Sequence, residues 1–227
     1  MRPPRASTSI EEADIALSAR ISGQRRHPLV KAFGKVGELG DQPPLLVLCT
    51  SVIAFGMLSG RRRVAVAGAN MLVSFALATA MKTTVKRTVS RTRPNVALDE
   101  GTYAVEPLGP DVGPWHSMPS GHTAGSVAVA RALARTCPEA AVPAYAAAAT
   151  IAFAQLPTGH HFATDVAVGA AIGLLADAIT DRATGLAPTL LEAGPNTDGR
   201  DEETGDSAGI DGGSQPDWDG AARANRP

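Results

Sequence analysis

Aromatic residues and cysteines are scarce in this sequence, and neither sign of charge predominates. Aromatic side chains make up only 4% of the 227 residues, so the tryptophan and tyrosine belts that mark many membrane interfaces are missing. Cys49 lies in an apolar run and Cys137 stands far along the chain, so the two cysteines indicate neither a disulfide framework nor a metal site. The formal net charge of −1 gives no support for a nucleic-acid partner, and we expect none.

Apolar runs fill the middle of the chain. Residues 43–59 and 64–81 contain no charged side chain, and each run is near the length that crosses the hydrocarbon core of a membrane. Three weaker segments follow at 120–136, 139–155 and 163–180, interrupted by a few charges that should face the bundle or water: Arg131, Arg135, Asp165 and Asp177. A soluble, alanine-rich helical bundle is the alternative. Because two adjacent uncharged runs are uncommon in soluble chains, the pattern predicts an all-α, polytopic membrane bundle of about five spans.

The two ends of the chain differ from its middle. We expect residues 1–9 to be disordered and residues 10–42 to form amphipathic helices on a membrane surface, with a solvated helix pair packed on the domain as the alternative. Residues 43–182 form the predicted transmembrane domain. Residues 183–227 make up an acidic, glycine-rich tail with few apolar side chains near its end, and we expect most of it to be disordered.

A first polar segment, residues 82–94, directly follows an apolar run and is rich in cations: Lys82, Lys86, Arg87, Arg91 and Arg93. Arginine offers a planar fork of donors to two phosphate oxygens, and lysine adds a mobile charge, so the segment suits a dianionic phosphate. A juxtamembrane basic cluster that sets topology or attracts anionic lipid is the alternative.

A second polar segment, residues 116–122, opens the third apolar segment with Pro119-Ser120-Gly121-His122. Free N–H groups at a helix N-terminus, together with glycine, favour an oxyanion cradle. Ser120 can donate its hydroxyl, and His122 can supply a proton near neutral pH. A histidine that merely caps the helix or lies on the surface is the alternative.

A third polar segment, residues 157–165, opens the last apolar segment. His161 and Asp165 are four residues apart, so on a helix the carboxylate can accept a hydrogen bond from one imidazole nitrogen and leave the other unprotonated as a nucleophile. A structural His-Asp pair is the alternative for this spacing alone. If the later apolar segments alternate in direction, all three polar segments emerge on one face of the membrane.

The three segments together resemble the signature of the type 2 phosphatidic acid phosphatase superfamily, which includes bacterial acid phosphatases and vanadium haloperoxidases. The matching pattern is Lys86 with Arg93-Pro94, then Pro119-Ser120-Gly121-His122, then His161 with Asp165, and the resemblance extends over residues 10–182. It implies that His161 attacks phosphorus, that Asp165 orients it and that His122 protonates the leaving oxygen. It also implies a phosphate-binding set formed by Lys86, Arg93, Ser120 and Gly121, with no metal and no other cofactor.

One position departs from the family pattern. The third block of the family reads Ser-Arg, whereas this chain has Ala154-Gln155. Gln155 can donate a hydrogen bond but carries no charge, which removes about 1.5–3 kcal/mol for one charged hydrogen bond unless another cation replaces it. Lys82, Arg87 and Arg91 are the candidates for that replacement.

The sequence therefore predicts a metal-independent phosphatase in the cell membrane. The expected partners are membrane lipids and a phosphorylated lipid substrate, such as a polyprenyl phosphate, phosphatidic acid or phosphatidylglycerol phosphate. Because Arg61, Arg62, Arg63, Arg131 and Arg135 lie on the face opposite the polar segments, we expect an extracytoplasmic active site. Two alternatives stay open: a phosphatase for a soluble monoester, and a catalytically silent lipid-binding protein in which Gln155 marks the loss of activity.

Overall fold

The computed structural model describes residues 8–110 and 112–192, which are almost entirely helical. The helices are α1 (Ser9–Ile21), α2 (Pro28–Gly37), α3 (Gln42–Leu58), α4 (Arg62–Thr88), α5 (Pro94–Glu100), α6 (Gly121–Thr136), α7 (Ala141–Ala154) and α8 (Ala163–Glu192). Two short antiparallel strands, β1 (Val89–Arg91) and β2 (Val105–Pro107), form a hairpin around α5. This hairpin was not predicted, because three-residue strands give no periodic signal in a sequence.

Helix α1 begins with a reciprocal cap. The Thr8 hydroxyl accepts a hydrogen bond from the Glu11 backbone N–H, and the Glu11 carboxylate accepts one from the Thr8 N–H. The predicted disorder of residues 1–9 is therefore wrong at Thr8 and Ser9, while residues 1–7 lie outside the described residues.

The burial pattern of α1 is the reverse of that of a helix on a soluble domain, which buries apolar side chains and exposes polar ones. Asp14 and Ser18 are buried against the domain, while Ile10 and Leu17 are exposed. Exposed leucines and valines continue through the next segment at Leu29, Val36 and Leu39. The predicted helices in residues 10–42 are present, and their outward apolar side chains suit a membrane surface, although that location stays a prediction.

Helices α3 and α4 form a close antiparallel pair. A Cβ atom at Gly56 would lie 2.2 Å from the backbone nitrogen of Ala65, and one at Gly68 would lie 2.7 Å from that of Ile53. Such contacts between small residues are typical of membrane helix pairs. Helix α4 continues past the predicted end at Met81 to Thr88, which places Lys82 and Lys86 on its last turns.

Helix α6 lies at the centre of the bundle and packs against α4, α7 and α8. It is rich in alanine, and α8 approaches it through two glycines. A Cβ atom at Gly169 would lie 2.5 Å from the Ser120 carbonyl oxygen, and one at Gly173 would lie 2.6 Å from that of Ala124. The apolar core around these helices includes Leu45, Met71, Phe75, Ala128 and Ile172.

Helices occupy all five predicted apolar segments, but the number of spans is not confirmed. Helix α4 and residues Ala163–Gly185 of α8 are long and apolar enough to cross a membrane. Pro28–Gly40 and Gln42–Leu58, bent by 53°, count as a third span if they form one. Helices α6 and α7, with 16 and 14 residues, are shorter than the roughly 20 residues that a span needs.

The predicted boundary at residue 182 does not coincide with the end of a helix. Helix α8 continues to Glu192, so the first ten residues of a tail that was expected to be mostly disordered are helical. The rest of the predicted disordered tail, residues 193–227, lies outside the described residues.

Candidate active site

The three polar segments meet at one end of the bundle. Lys86, on the last turn of α4, donates a hydrogen bond of 3.2 Å from Nζ to the His116 carbonyl oxygen. The Ser120 backbone N–H, at the start of α6, donates to the Asp165 carbonyl oxygen at 3.0 Å. The imidazole rings of His122 and His161 have centroids 6.4 Å apart. The structure thus brings together residues from α4, α6 and the start of α8.

His161 is buried in a defined protonation state. Its Nδ1 atom lies 2.6 Å from the backbone carbonyl oxygen of Ser117. Because a carbonyl oxygen only accepts hydrogen bonds, Nδ1 carries the proton and Nε2 keeps its lone pair. Burial lowers the pKa of His161 well below its usual value, and the positive charges of Lys86 and Arg93 lower it further. The imidazole is therefore neutral and has a fixed tautomer, with a lone pair on Nε2.

Asp165 does not form the hydrogen bond to His161 that the sequence spacing predicts. Its Oδ2 atom is 3.9 Å from His161 Nδ1, which is too long for a hydrogen bond, and it accepts instead from Ser117 Oγ at 2.6 Å and the Phe162 N–H at 2.8 Å. Phe162 precedes the first residue of α8 and Asp165 is the third, so the carboxylate caps its own helix. Because these two donors occupy Asp165 Oδ2, the N–H at His161 Nδ1 donates its hydrogen bond to the Ser117 carbonyl oxygen instead.

Arg91 holds the other oxygen of Asp165. The guanidinium donates from Nη1 to Asp165 Oδ1 at 2.8 Å and from Nη2 to Asp14 Oδ2 at 3.0 Å. Its Nε atom donates to the Tyr103 hydroxyl at 3.2 Å, and its Cζ atom lies 4.1 Å from the centroid of the Phe162 ring. The prediction that Arg91 can replace the missing family arginine is therefore wrong, because its donors bind other groups.

The remaining cations lie near His161 and the start of α6. Arg93 is half-buried, and its Nε atom is buried without a hydrogen-bond partner among the described residues. Lys82 lies so close to the start of α6 that a Cβ atom at Gly121 would be 2.9 Å from its Nζ. Arg87, the other candidate for replacing the arginine, is exposed. Lys82, Lys86 and Arg93 are thus the cations that a phosphate would meet.

The first turn of α6 supplies neutral donors. Ser120 is fully buried and caps the helix by accepting from the Thr123 N–H, which leaves its own hydroxyl proton available. The N–H groups of Gly121 and His122 have no acceptor within the helix, because the first turn of any helix lacks them. These groups and the adjacent lysines form a cradle suited to an anion.

Gln155 lies beside the site, but its side-chain donor is engaged. Its Nε2 atom donates to the Ile151 carbonyl oxygen at 3.2 Å, while Oε1 is buried without a partner among the described residues. The Gln155 backbone carbonyl oxygen accepts hydrogen bonds from the N–H groups of His160 and His161, at 3.2 and 3.3 Å. In this conformation Gln155 supports the loop that carries the nucleophile. Direct contact between Gln155 and a phosphate stays a prediction.

A basic cavity of about 320 Å³ adjoins His160. The residues that line it are Arg25, Lys31, Gly34, Lys35, Glu38, Thr158 and His160. Burial and the charge of Arg93 lower the pKa of His160. No group of three or more His, Cys, Asp or Glu side chains suited to a metal occurs within residues 8–110 and 112–192.

Two residues near the site were not expected from the sequence: Ser117, which contacts His161 and Asp165, and Asp14, which contacts Arg91 and Thr164. Ser117 stands two residues before Pro119, and its carbonyl oxygen and hydroxyl hold His161 and Asp165 respectively. Asp14 lies 150 residues from Thr164, to whose N–H it is bonded. The signal available for Asp14 was a carboxylate among the apolar residues of an amphipathic helix.

Comparisons with known proteins agree with this geometry. A family model described as the PAP2 superfamily matches residues 67–184, just over half of the chain. The fold is similar to that of LpxE from Aquifex aeolicus, with a TM-score of 0.56 and 26% identity over 74% of this chain and 94% of LpxE. It is also similar to a transmembrane PAP2-type phosphatidylglycerolphosphate phosphatase from Bacillus subtilis, with a TM-score of 0.60 and 24% identity over 81% of this chain and 89% of that protein. No curated protein matches the sequence significantly.

Proposed function

Because this chain belongs to the PAP2 superfamily, we propose that it is an integral membrane enzyme that removes the terminal phosphate from a lipid phosphate monoester. The observation that carries the proposal is the hydrogen bond from His161 Nδ1 to the Ser117 carbonyl oxygen. It leaves Nε2 unprotonated beside three cations and the N-terminus of α6. A nucleophile, its orienting groups and an anion cradle in one site are the requirements for covalent phosphoryl transfer.

The proposed reaction begins with attack by His161 Nε2 on phosphorus. An N–P bond forms as the P–O ester bond breaks, and protonated His122 gives its proton to the leaving oxygen. The phosphorylated imidazole carries a positive charge, with its Nδ1 proton still bonded to the Ser117 carbonyl oxygen. Neutral His122 then takes a proton from water, the hydroxide attacks phosphorus and the N–P bond breaks. Inorganic phosphate leaves, and both histidines return to their starting states.

The anion cradle supplies charge stabilisation in this mechanism. The guanidinium of Arg93 and the ammonium groups of Lys82 and Lys86 are the cations nearest to the transferring phosphoryl group. The hydroxyl of Ser120 and the N–H groups of the first turn of α6 complete its environment. Since protein donors fill this role, we propose that hydrolysis needs no metal ion and survives excess chelator.

A lipid substrate is supported by the surface next to the site. Helix α3 begins at the same end of the bundle and exposes Leu46, Val47, Phe55 and Leu58, and helices α1 and α2 expose further leucines and valines. An acyl or prenyl chain can lie along these apolar surfaces while its phosphate enters the cradle from the side. Polyprenyl phosphate, phosphatidic acid and phosphatidylglycerol phosphate are the candidate substrates.

Phosphate release by the purified full-length protein tests this function. We expect release from a lipid monoester in mixed micelles to exceed release from a soluble aryl ester, and we expect vanadate to compete with both. The variant His161→Ala should be inactive, whereas His27→Ala, which removes an exposed histidine at the start of α2, should keep its activity. Full activity in His161→Ala would overturn the mechanism. Release from the soluble ester alone would favour a soluble substrate, and no release from either would favour a silent lipid-binding protein.

We also propose that the site faces the extracytoplasmic side, because Arg61, Arg62 and Arg63 lie at the opposite end of the bundle. Both native cysteines, Cys49 and Cys137, are free and buried, so an introduced cysteine can be labelled selectively. An impermeant thiol reagent applied to intact cells should label Glu106→Cys, in the exposed strand β2, and not Ser59→Cys, at the end of α3. The reverse pattern would show the opposite orientation.

A further inference from the structure

Asp14 is a buried carboxylate on a helix whose apolar side chains face outward. It is 4% exposed, and its oxygens accept hydrogen bonds from the Thr164 N–H at 3.2 Å, from the Thr164 hydroxyl and from Arg91 Nη2 at 3.0 Å. Arg91 lies in the first polar segment, residues 82–94, and Thr164 lies on the first turn of α8 beside Asp165. Asp14 thus attaches α1 to the first turn of α8.

Asp14, Arg91 and Asp165 form a continuous buried chain of charges. The side chain of Arg91 is 4% exposed, and it bridges Asp14 at 4% with Asp165 at 0%. Two carboxylates and one guanidinium leave one net negative charge in this chain. Without Asp14 the remaining pair would be neutral overall.

That net charge lies directly behind the proposed nucleophile. Asp165 Oδ2 is 3.9 Å from His161 Nδ1, a distance over which opposite charges attract strongly when they are buried. The imidazole is neutral in the free enzyme and becomes positive when Nε2 binds phosphorus. A negative charge held behind the ring favours this charged state over the neutral one.

From this arrangement we infer that Asp14 is a positioning residue for catalysis: through Arg91 it holds Asp165 in place and preserves the negative charge that stabilises phosphorylated His161. This role rests on the proposed phosphohistidine mechanism. Docking of α1 then completes the active site, even though α1 lies outside the three polar segments and outside residues 67–184 that match the family model.

The competing explanation is that Asp14 only caps α8. Its Oδ1 atom accepts from the Thr164 N–H, and an asparagine would keep this acceptor while losing the charge. A capping role therefore predicts that Asp14→Asn behaves like the native enzyme. A charge role predicts that Asp14→Asn is impaired and that Asp14→Glu, which restores the charge, recovers part of the activity.

The first experiment compares Asp14→Asn with Glu12→Gln, which removes the same charge from an exposed position on the same helix. We expect Asp14→Asn to lose roughly 10- to 100-fold in kcat, the usual effect of removing a group that supports a catalytic residue, with little change in KM. Glu12→Gln should match the native enzyme in both. Equal kcat values for Asp14→Asn, Glu12→Gln and the native enzyme would overturn the inference.

The pH dependence of kcat/KM gives a readout that a loss of folded protein does not change. The charged and titratable groups that face His161 are Lys86, Arg93, His122 and Asp165. Without the negative charge of Asp14, Lys86 and Arg93 should lower the pKa of His161 further. The acidic limb of the profile should then move to lower pH. Glu12→Gln should leave that limb in place. An unshifted limb in Asp14→Asn would contradict the charge role.

A double-mutant cycle shows whether Asp14 acts through Asp165. If it does, adding Asp14→Asn to Asp165→Asn should reduce kcat far less than it does in the native background. Multiplicative losses would mean an independent structural effect. The variant His161→Ala is measured in parallel. If it keeps full activity, the proposed function fails. If it is inactive while Asp14→Asn behaves like the native enzyme, only the role of Asp14 is refuted.

Discussion

Two aspartates on α8, Asp165 and Asp177, are both fully buried and both bound by arginine, yet their surroundings differ. Asp165 is held by Arg91, whose side chain is 4% exposed, whereas Asp177 is held by Arg131 and Arg135, whose side chains are 44% and 25% exposed. The first cluster also includes Asp14 and keeps a net negative charge. The second also includes Asp181, through Arg135, and is neutral overall.

The difference shows that a buried ion pair on its own does not indicate a catalytic site. At the Asp177 end the partners are Ser74 and arginines that reach the surface, so the pairs satisfy a buried carboxylate within the bundle. At the Asp165 end a histidine with a fixed tautomer lies 3.9 Å away, and the charges of the cluster do not balance. The unbalanced charge beside a neutral imidazole, rather than the ion pairs themselves, distinguishes the Asp165 end from the Asp177 end.

The strongest test of this contrast is Asp165→Asn. We expect its turnover to fall by between about 10² and 10⁴, because the phosphorylated imidazole loses its neighbouring charge while the Ser117 carbonyl still orients Nδ1. Phosphate release per folded molecule measures the effect, with folding checked by thermal unfolding in detergent. Native turnover in Asp165→Asn would place the catalytic charge elsewhere.

Asp177→Asn should show the opposite behaviour. Removing one partner of a buried ion pair leaves the arginines uncompensated, and we expect the free energy of unfolding to fall by about 3–5 kcal/mol. Turnover per folded molecule should stay within roughly twofold of the native value, since Asp177 lies about 18 Å from Asp165 along α8. A large loss of turnover without loss of stability would remove the distinction between the two ends.

Gln155→Arg should have a smaller effect at the catalytic end. An arginine that abandons the Ile151 carbonyl and reaches the phosphate should raise kcat/KM about tenfold, or roughly 1.4 kcal/mol. Because Arg91 is bonded elsewhere and Arg87 is exposed, Lys82 is the compensating cation left to test. Adding Lys82→Ala tests whether it fills that space, and adding Arg87→Ala is the matched comparison. Gln155→Met, which keeps the volume without the donor, is the control. No change in any background would mean that position 155 does not reach the phosphate.

The smallest expected effect is a pH dependence of stability caused by His161. Its pKa is depressed in the folded state, so below about pH 6.5 the unfolded chain takes up a proton that the folded chain does not. Stability should therefore fall as pH decreases below that value, by at most about 1.4 kcal/mol per pH unit for this one group. Comparing the unfolding temperatures of the native protein and His161→Gln at pH 5.5 and 7.5 measures it. An identical pH dependence in both would contradict the depressed pKa.

The sequence was most informative where chemistry and local spacing coincide. The predicted site residues follow or open an apolar segment, and the alternating direction of the helices brings these positions to one end of the bundle. They are Lys86, Arg93, Ser120, His122 and His161. The predicted bond between His161 and Asp165 failed because a second local interaction, the cap of α8, competes for the same carboxylate. Spacing shows which groups can meet, but it does not show which of two available partners a group chooses.

The contribution of α1 could not be predicted in the same way. The contacts of Asp14 with Arg91 and Thr164 join residues separated by 77 and 150 positions, and they depend on how α1 docks on the finished bundle. The extension of α4 to Thr88 was likewise missed, because Lys82 looked like the end of a span although a lysine can lie on a helix that continues toward the site. Tertiary packing decided both features.

The close packing of Gly169 against the Ser120 carbonyl has a mechanical consequence. The proposed anion cradle begins at Ser120 on α6, and the proposed nucleophile, His161, precedes α8. Because Gly169 has no side chain, the backbones of these two helices come into direct contact. Direct packing of the two helices therefore fixes the proposed anion cradle and the proposed nucleophile relative to each other, the arrangement that preorganised catalysis requires. Under the proposed function, variation in substrate preference then has to arise outside this unit, at exposed apolar side chains such as Leu17 and Leu29, rather than at buried contacts such as those of Asp14.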